Sequence, residues 1–220
     1  MKYYEAYDKR FRQVHEKNVS WFSNNPTPLI LDVLEKYEIS KNEYLLEVGC
    51  GEGRDARYLL SLGYNVLATD VSEEAISYAK KIDNNHDNSY LVVDACKDKI
   101  DKKFDFIYSV SALHMLVLDE DRKAFLDFIK RHLADDGKAL ILTMGDGAQA
   151  FQSDIETAFT NQLRTHSLTG EEFMLAGTSC KVVSFGTLNF ELERSGFKVI
   201  EQGIINFEPD YPSLMYVVVN

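Results

Sequence analysis

The strongest constraint on the fold is a regular alternation of short apolar segments with amphipathic stretches through the middle of the chain. The apolar segments, which predict strands, cover residues 44–48, 65–69, 90–93, 104–110 and 138–143. Amphipathic stretches that predict helices begin near Arg54, Ser72 and Asp119. Alternation of this kind is typical of parallel βαβ units, in which helices cover both faces of one sheet. The pattern therefore predicts a three-layer α/β sandwich.

The two ends of the chain depart from this alternation. Residues 197–205 and 214–219 are strand-like and are joined by a turn-rich stretch, which predicts an antiparallel hairpin. The whole sheet is thus expected to have seven strands, mostly parallel, with the hairpin at the C-terminus. Residues 1–40 are predicted to form an N-terminal helical cap, and residues 41–220 the main domain, with an insertion at about 145–186.

Charge and cysteine content exclude several classes of function. The chain carries 24 basic and 35 acidic residues, a formal charge of -11, which opposes binding to nucleic acid. Three scattered cysteines without a CxxC pair predict neither a disulfide framework nor a metal site, and they favour a reducing, cytoplasmic setting. No apolar run is long enough to cross a membrane as a helix, and no secretory signal is visible.

A glycine-rich turn follows the first predicted strand, at residues 49–53, and leads into a helix that begins near Arg54. Glycines permit a positive φ and a close approach of backbone to ligand, and the start of a helix presents free N–H groups. A ligand with hydrogen-bond acceptors is therefore expected here. A dinucleotide-binding fingerprint would need glycine at position 54, so the arginine there disfavours a nicotinamide cofactor.

The run E-V-G-C-G-E-G at residues 47–53 resembles the first motif of the class I, Rossmann-like S-adenosylmethionine-dependent methyltransferases. The likeness continues through the predicted order of strands and helices, from about residue 42 to residue 220. It implies S-adenosylmethionine as the cofactor, with Glu47, Gly49, Gly51 and Gly53 under its methionine part and ribose. Glu47 would either contact the cofactor directly or hold the turn.

Two acidic residues at strand ends extend the resemblance. Asp70 follows the second strand, where a carboxylate can accept hydrogen bonds from both ribose hydroxyls, and Val71 would pack beside the adenine. Asp94 and Ala95 follow the third strand and would lie near the adenine amino group. The alternatives are that Asp70 only caps the helix that begins at Ser72, and that Asp94 is solvated.

Methyl transfer is an in-line displacement at a sulfonium, so alignment and exclusion of water matter more than acid or base groups. On the fourth strand and the loop after it, Ser109 is expected to touch the cofactor, and His114 is the only plausible base. The alternative is that His114 merely packs beside leucines. The chain also lacks the Asn- or Asp-Pro-Pro-aromatic signature of amide and amino-group methylation, since residues 111–114 read Ser-Ala-Leu-His.

Specificity is expected to reside in the N-terminal segment and the insertion. The N-terminal segment is rich in aromatic and basic residues, namely Tyr3, Tyr4, Tyr7, Arg10, Phe11, His15, Trp21 and Phe22. It would form a lid over the cofactor, as in methyltransferases similar to the thiopurine and tellurite-resistance enzymes, with Trp21 in direct contact. The alternative is that these residues only pack a cap helix on the sheet.

The leading hypothesis is an enzyme that moves a methyl group to an O, N or S atom of a small molecule. Its oligomeric state is expected to be a monomer or a homodimer, with no membrane or nucleic-acid partner. Two alternatives keep the cofactor: a non-catalytic sensor or partner subunit, and a protein methyltransferase. The glycine spacing and the C-terminal hairpin disfavour a nicotinamide-dependent oxidoreductase.

Overall fold

The computed structural model describes residues 3–17, 19–21, 23–165, 170–207 and 211–220. The helices are α1 Tyr3–His15, α2 Pro28–Lys36, α3 Arg54–Ser61, α4 Glu73–Ile82, α5 Asp119–His132 and α6 Phe185–Arg194. The strands are β1 Tyr44–Val48, β2 Asn65–Asp70, β3 Tyr90–Val92, β4 Phe104–Val110, β5 Leu133–Met144, β6 Phe151–Gln152, β7 Asn161–Thr165, β8 Glu172–Ala176, β9 Lys181–Val182, β10 Val199–Phe207 and β11 Tyr211–Val219. Within these ranges, no helix is long and apolar enough to cross a membrane.

Seven strands form one sheet in the order β3-β2-β1-β4-β5-β11-β10, in which β11 runs antiparallel to both of its neighbours. The other strands are parallel, so the predicted sheet with a C-terminal hairpin is confirmed. The fifth strand begins earlier than predicted, because Leu133 already pairs with Phe104 across a register shift.

Helices cover both faces of the sheet, as a three-layer sandwich requires. Successive residues of β1 point to opposite faces: Leu45 packs with residues of α2, α3 and α4, whereas Leu46 packs with residues of α5 and α6. Both residues are fully buried. The sheet thus separates two apolar cores, and the side chains at its edges remain available for other roles.

The order of the sheet reverses at β1, which lies between β2 and β4. In open α/β sheets, ligands bind outside the carboxyl ends of the strands at such a switch point. The glycine turn after β1 and the loop after β4 therefore meet where a ligand site is expected.

The N-terminal residues pack on two different parts of the molecule. Helix α2 contributes Ile30 and Leu34 to the core beside the sheet. Helix α1 instead contacts α4 and β8, and its Val14 packs with Phe173 of the insertion. The insertion itself holds two small antiparallel ladders, β6 with β9 and β7 with β8. A domain boundary at residue 40 stays a prediction.

A buried ion pair joins α5, α6 and the loop after β4. The Arg122 guanidinium is 1% exposed and donates from Nε and Nη2 to the two Glu191 carboxylate oxygens, at 2.9 and 2.7 Å. Its Nη1 donates to the Leu113 carbonyl oxygen at 2.9 Å. One side chain thus fixes the loop after β4 against two helices.

We predict that Glu191→Ala lowers the free energy of unfolding by about 3 to 5 kcal/mol, because it leaves a buried guanidinium without its carboxylate. The control is Asp127→Ala, which removes the exposed Lys123–Asp127 pair within α5 and should cost about 0.3 to 0.5 kcal/mol. Urea denaturation of both variants measures the difference. Equal losses would contradict the structural role of the Arg122–Glu191 pair.

Candidate functional site

A cleft lies at the carboxyl ends of β1, β2, β3 and β4 and contains about 1020 Å³ of empty space, its open mouth included. Seven residues that the resemblance predicted as cofactor contacts line the cleft: Glu47, Gly49, Gly51, Asp70, Val71, Asp94 and Ala95. The fold therefore brings together the ends of three successive strands that the resemblance had linked.

The glycine turn follows β1 closely and is held by β2. The Gly49 and Cys50 N–H groups both donate to the Thr69 carbonyl oxygen, at 2.8 and 2.9 Å. Gly49 has φ +80°, and a Cβ there would lie 2.5 Å from the Ala112 Cβ. Only glycine therefore allows the turn after β1 and the loop after β4 to approach so closely.

The surroundings of Gly53 indicate that its small size is needed for packing. It has φ +73°, and a Cβ there would lie 2.7 Å from the Tyr90 ring. It precedes α3 and is absent from the described lining of the cleft. Its contact with a cofactor stays a prediction, whereas its contact with the first residue of β3 is a feature of the structure.

Asp70 connects the glycine turn to the start of α4. Its carboxylate oxygens accept the Gly51 N–H at 2.8 Å and the Ser72 N–H at 2.9 Å. Burial raises the pKa of the Asp70 carboxyl, although these N–H groups oppose the change. The N-cap of α4 is Ser72, whose Oγ accepts the Ala75 N–H. Each Asp70 oxygen keeps capacity for a further hydrogen bond, as the ribose prediction requires.

Asp94 is held in place at the end of β3. One carboxylate oxygen accepts the Cys96 N–H at 2.9 Å, and the other pairs with the Lys97 ammonium. Its side chain is 14% exposed and lines the cleft beside Ala95. Asp94 is therefore a fixed, partly buried group and not a freely solvated one.

Glu47 lies in the cleft lining, deep at the end of β1. Burial, reinforced by the nearby Asp55 carboxylate, raises the pKa of Glu47 well above its usual range. The Tyr108 hydroxyl donates to its Oε2 at 3.1 Å, and the Thr69 hydroxyl donates to its backbone carbonyl. These bonds fix Glu47 between β2 and β4, while its contact with a cofactor stays a prediction.

Two serines at the end of β4 differ in position. Ser109 is fully buried in the sheet and absent from the described lining of the cleft. Ser111, the first residue after β4, does line the cleft, is 7% exposed and has φ +58°. The sequence reasoning missed Ser111 as a site residue. The available signal was its place directly after a strand at the switch point.

His114 is buried away from the cleft. It is 2% exposed, does not line the cleft, and its Nδ1 has no hydrogen-bond partner among the described residues. Burial, with a smaller contribution from the Arg122 charge, lowers the pKa of His114 to about 3. A general base must reach the proton that it removes. The base role of His114 therefore stays a prediction, and the structure shows only that its side chain is buried outside the described lining of the cleft.

Helix α1 reaches the cleft through Tyr7 and Phe11, which we call the aromatic cover. A Cβ on Gly51 would lie 3.5 Å from Phe11 Cζ, and the Tyr7 hydroxyl contacts the Met115 sulfur. Burial raises the pKa of the Tyr7 hydroxyl, which is therefore neutral. The sequence analysis selected Trp21 from this segment, and the structure brings these two other aromatic residues to the cleft.

Trp21 lies outside the described lining. Its backbone N–H donates to both Glu52 carboxylate oxygens, at 2.9 and 3.0 Å, and the Arg10 guanidinium lies 3.8 Å from its ring centroid. Its contact with a cofactor stays a prediction. Phe22, another residue of the predicted lid, lies outside the described residues.

His15 joins α1 to the glycine turn and to α4, an arrangement that we call the His15 clamp. Its Nε2 lies 2.9 Å from Glu52 Oε1, its Nδ1 lies 2.8 Å from Glu74 Oε1, and its ring stacks on Tyr78. Burial lowers the pKa of His15, but the bonds to Glu52 and Glu74 together outweigh it, so the pKa is raised. The protonated ring can donate to both carboxylates at once.

We predict that the His15 clamp makes stability depend on pH. Because the folded-state pKa is raised, its stabilisation is fully present below about pH 6.5 and is lost as the pH rises through the folded-state value. His15→Gln should flatten this part of the curve. Urea denaturation at pH values below and above about 6.5 measures how the free energy of unfolding depends on pH. The same dependence on pH in His15→Gln as in the unaltered protein would contradict the clamp.

We also predict that Gly49→Ala destabilises the fold by about 1 to 3 kcal/mol, because its Cβ would overlap the Ala112 Cβ. Adding Ala112→Gly removes that overlap and should recover part of the loss. The loss of stability that the double variant keeps, about 1 kcal/mol, reflects the positive φ at position 49. Thermal denaturation of the single and double variants tests this, and a double variant no more stable than Gly49→Ala would rule out the overlap.

Comparison with known proteins supports the same interpretation. A family model described as a methyltransferase domain matches residues 46–141, just under half of the chain. A probable S-adenosyl-L-methionine-dependent methyltransferase TehB of Haemophilus influenzae is 30% identical over 131 residues, which are 57% of this chain and 45% of that protein. The chain spans less than half the length of the first curated relatives that it matches.

Solved structures share the fold over nearly the whole chain. An S-adenosylmethionine-dependent methyltransferase from Clostridium acetobutylicum superposes with a TM-score of 0.68 at 14% identity, covering 96% of this chain and 95% of that one. The glycopeptide N-methyltransferase MtfA in complex with S-adenosylmethionine gives a TM-score of 0.61 at 18% identity, covering 86% of both chains.

The match at residues 46–141 and the relatives named as methyltransferases confirm the predicted resemblance to S-adenosylmethionine-dependent methyltransferases. The solved structures confirm the predicted Rossmann-like fold class.

The cleft fits this cofactor chemically. Apart from Glu47, whose raised pKa favours the neutral acid, its described lining holds four acidic residues, Glu52, Asp55, Asp70 and Asp94, against one cationic side chain, that of Arg54. An acidic lining favours a ligand with a cationic sulfonium and ammonium over an anionic one. The ends of β2 and β3 offer carboxylate acceptors and apolar surface that match the chemistry of a ribose diol and an adenine.

Proposed function

We propose that this protein binds S-adenosylmethionine in the cleft and transfers its methyl group to an O, N or S atom of a small molecule. The observation that carries the proposal is the convergence of Gly51, Asp70 and Asp94 at the switch point of the sheet. These residues come from three strand ends, and each of them was selected from the sequence for a different part of one ligand.

The residues have separate tasks in this proposal. Gly49 and Gly51 let the backbone approach the methionine part, Asp70 accepts the ribose hydroxyls, and Val71 and Ala95 contact the adenine. When bound, the cofactor supplies a methyl group on a positively charged sulfur, which makes the carbon electrophilic. The protein then aligns the two reactants and excludes water.

The aromatic cover supports a small acceptor over a protein or nucleic acid. Phe11 lies close to Gly51 of the glycine turn, and Tyr7 contacts Met115 of the loop after β4, so both side chains line the cleft. The charge of -11 opposes polyanions. We further propose a cytoplasmic protein that is a monomer or a homodimer, with residues 1–40 as a cap and 145–186 as part of the acceptor pocket.

We predict that S-adenosylmethionine and S-adenosylhomocysteine bind in calorimetry and that NAD does not. Asp70→Asn should weaken the binding of both adenosyl ligands by about 10- to 150-fold, because it removes charge-assisted hydrogen bonds worth about 1.5 to 3 kcal/mol. Asp101→Asn, an exposed carboxylate outside the cleft, is the matched control and should bind like the unaltered protein. Thermal denaturation confirms that the variants are folded.

Binding of NAD alone, or full affinity in Asp70→Asn, would contradict the proposed site. The catalytic part needs a second readout, formation of S-adenosylhomocysteine in the presence of candidate acceptors. Tight cofactor binding without any turnover across oxygen, nitrogen and sulfur acceptors would favour the sensor or partner subunit.

A further inference from the structure

His15 is the last residue of α1, and each nitrogen of its ring faces a carboxylate oxygen. Nε2 lies 2.9 Å from Glu52 Oε1 in the glycine turn, and Nδ1 lies 2.8 Å from Glu74 Oε1 in the first turn of α4. Only the protonated ring carries a hydrogen on both nitrogens. A neutral ring would turn a lone pair toward one of the two carboxylates, so the loss of one proton breaks one arm of the His15 clamp.

The titratable and charged residues around the clamp come from four elements: Asp8 and Arg12 of α1, Glu52 of the glycine turn, Arg57 of α3, and Glu74 and Tyr78 of α4. The arginines stay charged at any ordinary pH, and burial raises the pKa of the Tyr78 hydroxyl, which stays neutral. Burial lowers the pKa of His15, but the bonds to the two glutamates outweigh it and raise the pKa. His15 is therefore the residue of the clamp whose charge changes near neutral pH.

The clamp connects directly to the cleft through Glu52 and through α1. Glu52 is 7% exposed and lines the cleft, and its carboxylate also accepts the Trp21 N–H at 2.9 Å. Phe11 lies one turn before His15 on α1, with 6.0 Å between the two ring centroids, and it lines the cleft as well. A change in the protonation of His15 therefore acts on two neighbouring residues of the lining.

Other attachments of α1 are independent of the proton on His15. Near the middle of the helix, the Asp8 carboxylate accepts the Ser72 hydroxyl at 3.0 Å. Toward its end, the Gln13 side chain accepts the Ala176 N–H at 2.8 Å. These bonds hold the helix beside the cleft in both states of the clamp. Deprotonation should therefore loosen the last turn of α1 without releasing the helix.

We infer that His15 is a positioning residue that couples ligand binding in the cleft to the uptake of one proton from solvent. With the ring protonated, both arms of the clamp hold Glu52 and Phe11 in place, and the ligand binds tightly. With the ring neutral, one arm is broken and the affinity falls. This inference rests on the proposed function, since its ligand is the adenosyl cofactor, and it adds control by pH.

S-adenosylhomocysteine is the probe, because its uncharged sulfur removes the direct attraction between a sulfonium and the Glu52 carboxylate. Calorimetry of the whole chain from about pH 6 to about pH 8.5 covers the range in which a histidine with a raised pKa titrates. We expect the Kd of the unaltered protein to rise across this range by about 5- to 150-fold, the usual size of coupling between two sites. Repeating the titration near neutral pH in two buffers of different ionisation enthalpy should show proton uptake on binding.

Two variants assign the proton to the clamp. His15→Gln removes the titrating ring and keeps an amide that donates hydrogen bonds, so its Kd should rise less with pH than that of the unaltered protein. Any rise that this variant keeps belongs to other groups, such as Glu47, whose pKa burial raises. Glu74→Gln removes one of the carboxylates that favour the charged ring, so the rise in Kd should occur at a lower pH.

The matched control is His86→Gln. His86 also faces a carboxylate, with 2.8 Å between its Nδ1 and Asp83 Oδ1, but it lies beyond the end of α4 and outside the described lining of the cleft. This variant should bind S-adenosylhomocysteine like the unaltered protein at every pH. Thermal denaturation at each pH shows whether a variant is folded. If His15→Gln does not fold, the shift in Glu74→Gln decides.

Several results would overturn the inference and leave the proposed function intact. They are a Kd that is constant or falls as the pH rises, the same rise in His15→Gln as in the unaltered protein, and an unmoved rise in Glu74→Gln. Loss of the rise in His86→Gln would also overturn it, because the proton would then belong to His86. Failure of the unaltered protein to bind S-adenosylhomocysteine at any pH would instead overturn the proposed function itself.

Discussion

The Asp70 carboxylate is the interaction on which the rest of the site depends. It accepts one N–H from the glycine turn after β1 and another from the start of α4, so it sets the distance between the two elements. Parallel strands end at a common edge, and this carboxylate orders the edge before any ligand arrives. A preorganised acceptor loses little freedom on binding, and this favours affinity.

A second set of contacts holds α1 over that edge. The His15 clamp ties the helix to Glu52 of the glycine turn and to Glu74 of α4, and Asp8 of α1 accepts the Ser72 hydroxyl and the Glu74 N–H. The helix therefore rests on the same two elements that Asp70 connects. The aromatic cover follows from this attachment, since Phe11 lies between Asp8 and His15, and Tyr7 directly precedes Asp8.

Local pattern was sufficient to predict the sheet, because strand periodicity and turn glycines act over a few residues. It also predicted that Asp70 and Asp94 lie together, and both line the cleft, because each stands at the end of a predicted strand. It did not separate Ser109 from Ser111 or Trp21 from Phe11, because those choices depend on side-chain direction and on how a helix packs. His114 illustrates the same limit, since it is buried in the loop after β4, which Arg122 of α5 holds through the Leu113 carbonyl oxygen while it pairs with Glu191 of α6.

A crystal structure of the chain with S-adenosylhomocysteine would test the central claim most directly. The account predicts ribose hydroxyls within about 2.5 to 3.2 Å of the Asp70 carboxylate, with adenine against Val71 and Ala95 and with Tyr7 and Phe11 over the ligand. A ligand bound elsewhere, or one whose ribose makes no contact with Asp70, would contradict it.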